Sequence, residues 1–125
     1  MQPFVCLARA LADIGHEVEV ITPRNGEDMA RAAGVNFRAL PYDVQSMFRS
    51  DTAQRMLADG RVSTLLRWIG EELGPYAQET NRVLMSATES VDLIVCNSIV
   101  ESACRVIAEA RQIVTVPITA LLGLL

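Results

Sequence analysis

Residues 2–22 read QPFVCLARALADIGHEVEVIT, and this stretch decides the fold. Large apolar side chains recur in it at steps of three and four residues: Phe4, Leu7, Leu11 and Ile14. This spacing predicts an amphipathic helix with one buried face. Gly15 suits the left-handed conformation that ends such a helix. Residues 17–22 then alternate and are rich in β-branched side chains, which predicts a strand that Pro23 ends.

The same helix–strand order follows a second time. Asn25 is a candidate N-cap for a helix over residues 26–33, Gly34 closes that helix, and residues 35–40 alternate as a second strand. Because the connections are only two or three residues long, the order predicts parallel strands joined by crossover helices.

The rest of the chain continues the α/β pattern. The predicted elements are short helices over 44–49 and 53–59, a long helix over 62–87, a strand over 92–97, a helix to residue 110 and a strand over 113–116. Gly74-Pro75 is expected to kink or split the long helix, because proline cannot donate to the preceding turn. The strand over 92–97 is a short apolar run, which is typical of a central parallel strand buried on both faces.

Composition excludes several classes of function. The 125 residues suffice for one domain, and no internal boundary is expected. The net charge of −4 and the absence of a basic patch argue against a nucleic-acid partner. The sequence contains no lysine, which excludes a lysine Schiff base and a P-loop. Three cysteines without a CxxC pair, and a single histidine, predict neither a disulfide framework nor a metal site, and favour the cytoplasm.

No stretch is long enough to span a bilayer, so at most a peripheral membrane association is expected.

Few residues suggest chemistry by themselves. His16 is either a general base or a turn residue that closes the first helix, and the turn is favoured. Asn97 and Ser98 follow the carboxyl end of a strand, where ligands of parallel sheets gather, so they either contact a substrate hydroxyl or cap the next helix. Trp68 belongs to an apolar set in the middle segment that forms either core or a pocket for a lipophilic ligand. Its other members are Met56, Leu57, Leu65, Leu66 and Tyr76.

The opening stretch also resembles a known family. Residues 2–18, followed by Ile21-Thr22-Pro23, residues 32–37 and Leu40-Pro41, are similar to the amino-terminal domain of GT-B glycosyltransferases. The similarity is to the sterol and macrolide glucosyltransferase group and to glycosyltransferase family 28. Residues 92–95 and the helix around 103–109 match that domain as well, so the resemblance runs to about residue 110.

This resemblance implies a Rossmann-like parallel sheet and an acceptor-binding role. The family reaction is transfer of a hexose from a UDP- or dTDP-sugar to a hydroxyl of a sterol, lipid or polyketide, with inversion and without an essential metal or resident cofactor. The sugar donor would bind a second, carboxyl-terminal domain. The expected acceptor-binding residues are Gln2, Pro3 and Phe4, which the resemblance includes, and Trp68, Asn97 and Ser98, which the positions described above suggest.

The departures from the family pattern matter equally. In the family, the expected base is an aspartate two positions before the residue that matches Gln2, and Met1 stands where the family has valine. The strand that precedes this aspartate is central in the family sheet and has no counterpart here. Residues 1–125 are therefore expected to be a partial acceptor domain that is truncated at both ends and inactive by itself.

Two other functions remain open at this stage. The chain could be a non-catalytic α/β module that binds a lipophilic ligand, or a subunit that pairs with a separate donor-domain chain. A signalling α/β domain is disfavoured, because no acidic phosphoacceptor cluster ends the first strands.

Overall fold

The computed structural model describes residues 2–97 and 100–118, which form a mixed α/β structure. The chain divides into two compact units, residues 1–80 and residues 81–125. The first unit contains α1 (Gln2–Asp13), β1 (Glu19–Pro23), α2 (Glu27–Ala32), β2 (Asn36–Leu40), α3 (Val44–Arg49), α4 (Asp51–Ala58) and α5 (Val62–Leu73). The boundary between the units falls within α6 (Ala77–Ala87). The second unit continues with β3 (Leu93–Asn97), α7 (Glu101–Arg111) and β4 (Val114–Ile118).

In the first unit, β1 and β2 form a parallel pair in the register Glu19–Asn36 through Pro23–Leu40. Helix α1 packs against β1 and α2, and α2 packs against both strands. The predicted parallel strands and crossover helix are therefore confirmed.

Backbone geometry at two glycines explains the sharp helix ends. Gly15 has φ of 96° and Gly34 has φ of 69°, the left-handed conformation that side chains disfavour. The amides of Gly15 and His16 donate to the carbonyls of Ala12 and Leu11 at 3.1 Å each, so α1 ends in a Schellman motif. The prediction that Gly15 ends the helix is confirmed.

Ile14 was expected on the buried face of α1, and that expectation is wrong. Its side chain is 73% exposed, whereas Val5 and Ala8 of the same helix are buried. The helix ends at Asp13, so Ile14 lies in the turn and no longer follows the helical face.

The predicted cap at Asn25 is also wrong. Residues Arg24–Gly26 form a 3₁₀ turn, and the N-cap position of α2 is Gly26, which makes no side-chain capping bond. The amide of Glu27 donates to the carbonyl of Arg24, so the tighter turn takes the place of a side-chain cap.

The helical segments that follow β2 lie where the sequence predicts them. The Asp43 carboxylate caps α3 by accepting from the amide of Ser46 at 3.2 Å. The Ser50 hydroxyl caps α4 by accepting from the amide of Ala53 at 3.3 Å. The long helix is split where expected, since residues Gly74–Tyr76 form a 3₁₀ turn between α5 and α6.

In the second unit, β3 and β4 form another parallel pair, in the register Leu93–Val114 through Asn97–Ile118. Helix α7 packs against both strands, and Cys96, Cys104 and Ile107 are buried. The expectation that β3 is buried on both faces is wrong, because Leu93 is 49% exposed and Asn97 is also exposed. Within the described residues the sheet has two strands and α7 covers one face, so the face that carries Leu93 and Val114 is open.

Candidate acceptor site

The carboxyl ends of β1 and β2 meet at one edge of the first sheet. The Arg24 amide, directly after β1, donates to the carbonyl of Tyr42, just after β2, at 3.0 Å. Thr22 is 1% exposed there, and its hydroxyl oxygen has no hydrogen-bond partner in the described part of the chain. Ligands of parallel α/β sheets gather at this edge, so the first unit presents a candidate site here.

The first turn of α1 is expected near the same edge. The Schellman turn at Gly15 reverses the chain between the end of α1 and the start of β1. Twelve helical residues span about 18 Å. Five strand residues span about 17 Å. Because α1 packs against β1 and has a similar length, we expect Pro3 and Phe4 near the carboxyl end of β1; Pro3 is exposed and Phe4 is half-buried.

Arg9 fixes the position of α1. Its guanidinium donates to the carbonyls of Ala33 and Gly34, at 3.5 and 3.3 Å, just after the end of α2. Its Nε donates to the Asp13 carboxylate at 2.9 Å, and this hydrogen bond raises the pKa of Arg9. The bridge joins the two helices that flank β1.

Two tyrosines connect the sheet edge to the helical segment. The rings of Tyr42 and Tyr76 lie 6.0 Å apart between centroids at an interplanar angle of 51°, a tilted aromatic contact. Burial raises the pKa of Tyr42. The end of α5 is thereby fixed beside the candidate site.

Helices α4 and α5 carry an exposed apolar surface. Leu65 is buried in the contact between these helices, and Trp68 is half-buried. Leu57 (47%), Val62 (61%), Leu66 (62%) and Tyr76 (39%) are exposed, and we call Val62 and Leu66, which lie one turn apart on α5, the α5 surface. The core alternative is therefore confirmed for Leu65, whereas the other residues remain available to a ligand.

Asn97 ends β3 and is exposed, but its side chain is engaged locally. Its Oδ1 accepts from the amide of Val100 at 3.1 Å, just before α7 begins. The prediction that Asn97 caps the helix is wrong, because the N-cap position of α7 is Val100 and has no side-chain capping bond; Asn97 instead closes the turn before the helix. Substrate contact remains a proposal. Ser98 and the side chain of Gln2 lie outside the described residues.

His16 is a turn residue at the end of α1, which is the alternative that the sequence favoured. Its backbone amide closes α1 on the carbonyl of Leu11, and its side chain is exposed.

Sequence reasoning did not single out Thr22, Arg24 and Tyr42. The signal was present, since Thr22-Pro23 and Pro41-Tyr42 both mark the point where a predicted strand stops. What the sequence did not show is the backbone bond between the two loops.

Neither a metal site nor a membrane-spanning helix is found among the described residues. Within residues 2–97 and 100–118, no group of three or more His, Cys, Asp or Glu side chains is arranged to hold a metal ion. Among the helices that the structure describes, none combines the length and the apolar character that crossing a bilayer requires.

Comparison with known proteins gives one informative relative. The chain is 31% identical over 96 residues to O-mycaminosyltylonolide 6-deoxyallosyltransferase of Streptomyces fradiae. The chain is similar to a glycosyltransferase. The match covers 76% of this chain but only 23% of the relative, so the chain spans less than a quarter of that enzyme's length. No protein-family model and no solved structure matches it.

The similarity supports the glycosyltransferase family.

Proposed function

We propose that this chain is the acceptor-binding part of a glycosyltransferase that transfers a hexose or deoxyhexose to a hydroxyl of a lipophilic acceptor. The observation that carries the proposal is the similarity, over 76% of the chain, to an enzyme named for transfer of a 6-deoxyallosyl group to O-mycaminosyltylonolide. The sheet edge at Thr22 and Tyr42 and the α5 surface supply the polar and apolar parts of such a site.

The acceptor would rest its apolar body on the α5 surface. Burying a leucine-sized side chain against a ligand contributes about 1.5–3 kcal/mol, and Leu66 and Val62 are more than 60% exposed in the free chain. The half-buried Trp68 indole, on the side of α5 that also carries Leu65, offers a rigid aromatic face. Polyketides and sterols have the apolar area that this surface would cover.

The reactive hydroxyl would lie toward the sheet edge. Pro3 and Phe4 at the start of α1, and the loops after β1 and β2, border that position. Gln2 stays in the proposal as an acceptor contact because of the family resemblance, and Asn97 and Ser98 stay because they follow the carboxyl end of a strand.

Transfer needs two further parts that the described residues do not provide. A base must take the hydroxyl proton as the oxygen attacks the anomeric carbon, and the leaving nucleoside diphosphate must be stabilised. Asp43 is the carboxylate next to Tyr42, but it is engaged as the cap of α3. We therefore propose that the donor sugar binds a separate part of the enzyme and that this chain alone is inactive.

The two parallel pairs support a Rossmann-like sheet in the whole enzyme. Each pair has a two-stranded parallel ladder with helices packed against it. The cysteine usage favours the cytoplasm as the place of the reaction.

A direct test compares the chain alone with a fusion to the remaining part of the Streptomyces fradiae relative. Each is incubated with a nucleoside diphosphate hexose and O-mycaminosyltylonolide, and glycosylated product is detected by mass spectrometry. We expect product from the fusion and none from the chain alone. Conjugate formed by the chain alone would overturn the division of roles, and a folded fusion without product would remove support for the transferase assignment.

A further inference from the structure

The two tyrosines of the sequence, Tyr42 and Tyr76, are brought together by the fold. Their ring centroids lie 6.0 Å apart, and the ring planes are tilted by 51°. The carbonyl of Tyr42 accepts from the amide of Arg24, which places this residue where the loops after β1 and β2 meet. The tyrosine pair therefore borders the candidate acceptor site.

The pair is open to solvent and has the dimensions that a small cation needs. Tyr76 is 39% exposed, and Tyr42 is half-buried. A cation binds the face of an aromatic ring within about 6 Å of the ring centroid. Because the two centroids are 6.0 Å apart, one small cation can meet this distance for both rings at once.

The chain around Tyr76 is acidic. Residues 69–80 contain three glutamates and no arginine. Glu72 precedes Tyr76 by four residues and Glu79 follows it by three, and the backbone stays helical through the 3₁₀ turn that joins α5 to α6. Helical residues at these spacings share a face, so both carboxylates are expected on the side of Tyr76. Their charge favours a cation over a neutral or anionic group at the rings.

We propose that Tyr42 and Tyr76 form a subsite for an alkylammonium group, and that the acceptor is a molecule that carries a protonated, alkylated amine. The second half of this inference rests on the proposed function, whereas the cation subsite does not. Methylated ammonium groups suit such a pair, because their charge is spread over methyl groups that contact the ring faces.

The subsite would orient the acceptor. An ammonium group held beside the loops after β1 and β2 would limit which hydroxyl of the acceptor faces the sheet edge. At a partly exposed site, a cation over one ring strengthens binding by about two- to fivefold. An acceptor without the amine would lose this contribution from both tyrosines.

The test uses the full chain with ¹³C-labelled tyrosine rings, and choline as the probe. Because the sequence has two tyrosines, NMR gives two sets of ring signals, which Tyr42→Phe and Tyr76→Phe assign. We expect choline to shift both sets with one saturation midpoint, and its neutral isostere 3,3-dimethylbutan-1-ol to bind at least about fivefold more weakly. Added salt should weaken choline binding. Equal binding of the two probes, or no choline shift at either ring, would overturn the proposal.

Variants separate the ring face from other contacts. Followed by the signals of Tyr42, Tyr76→Phe keeps an aromatic ring and should retain most of the choline affinity, whereas Tyr76→Leu should lose about two- to fivefold. Glu79→Gln should weaken the binding of choline but not that of the neutral isostere. The matched control is Val106→Ala, at a 67% exposed position of α7, and it should change neither. A folded Leu variant that binds choline as tightly as the unaltered chain would contradict the role of the rings.

This result can be read separately from the transfer reaction. If choline leaves both rings unchanged while the fusion described above forms product, the cation subsite is wrong and the proposed function stands. If choline binds as expected and the folded fusion forms no product, the cation subsite stands and the assignment of its ligand as a glycosyl acceptor is wrong.

Discussion

Replacing Gly15 tests whether the turn after α1 depends on backbone conformation alone. Its φ of 96° is strained for any L side chain, and a Cβ built at this position meets no atom within 4 Å. The cost of Gly15→Ala is therefore conformational rather than steric, about 1–2 kcal/mol of unfolding free energy. Asparagine tolerates positive φ better than alanine, so Gly15→Asn should lose less.

Gly70→Ala is the matched control. Gly70 lies inside α5, has an ordinary helical conformation and likewise leaves open space around an added Cβ. Alanine is favoured over glycine in a helix interior, so this change should stabilise by about 0.5–1 kcal/mol. The same substitution thus has opposite signs at the two positions.

Urea unfolding followed by Trp68 fluorescence measures both effects. The chain has a single tryptophan, and it lies in the same unit as Gly15 and Gly70. With a urea slope of about 1–3 kcal/mol per M, a change of 1 kcal/mol moves the midpoint by several tenths of a molar unit. An unchanged midpoint for Gly15→Ala, or an Asn variant no better than the Ala variant, would refute the conformational argument.

Three other perturbations have defined outcomes. Leu65→Ala removes a side chain that is 4% exposed and should lower the unfolding free energy by about 2–3 kcal/mol in urea titrations. Asn97→Ala removes the acceptor of the Val100 amide and should cost about 0.5–1 kcal/mol by thermal unfolding, whereas Asn97→Asp keeps an acceptor and should lose less. Cys104, with its pKa raised to about 11, should be about 0.1% thiolate near pH 8, so maleimide should label Cys6 first and Cys104 only as the pH rises toward 11.

Local periodicity predicted much of the fold. The β-branched alternation before Pro23 and before Pro41 identified two strands, and both form the expected parallel pair. Gly15 and Gly34 were identified as helix ends, and both have positive φ. These features depend on interactions between residues that are close in sequence, so the amino-acid pattern alone predicts them.

Features that depend on distant partners were predicted less well. An apolar run over residues 92–97 looks the same whether one or both faces are covered, and only the packing of α7 on one face shows that Leu93 is exposed. The two-stranded ladders also follow from long-range pairing that no local pattern encodes. At Gln112 the chain adopts φ of 58° without glycine, so residue type did not mark the end of α7.

The candidate site likewise combines a feature that the sequence indicates with contacts that only the folded structure shows. Trp68 was identified from composition, because a lone tryptophan in an irregular helical segment is informative by itself. The contact between Tyr42 and Tyr76, and the amide bond from Arg24 to Tyr42, join residues far apart in sequence. Such contacts needed the folded structure.

The central claim is that this chain binds the acceptor and not the sugar donor. Titrating the chain with O-mycaminosyltylonolide should change Trp68 fluorescence saturably, and a nucleoside diphosphate hexose should not. Leu66→Asp alters an exposed residue of the α5 surface and should weaken acceptor binding about tenfold, the equivalent of one lost apolar contact. Val106→Asp, at a residue of α7 that is 67% exposed, should leave binding unchanged. A saturable response to the sugar nucleotide, or none to the acceptor, would contradict the account.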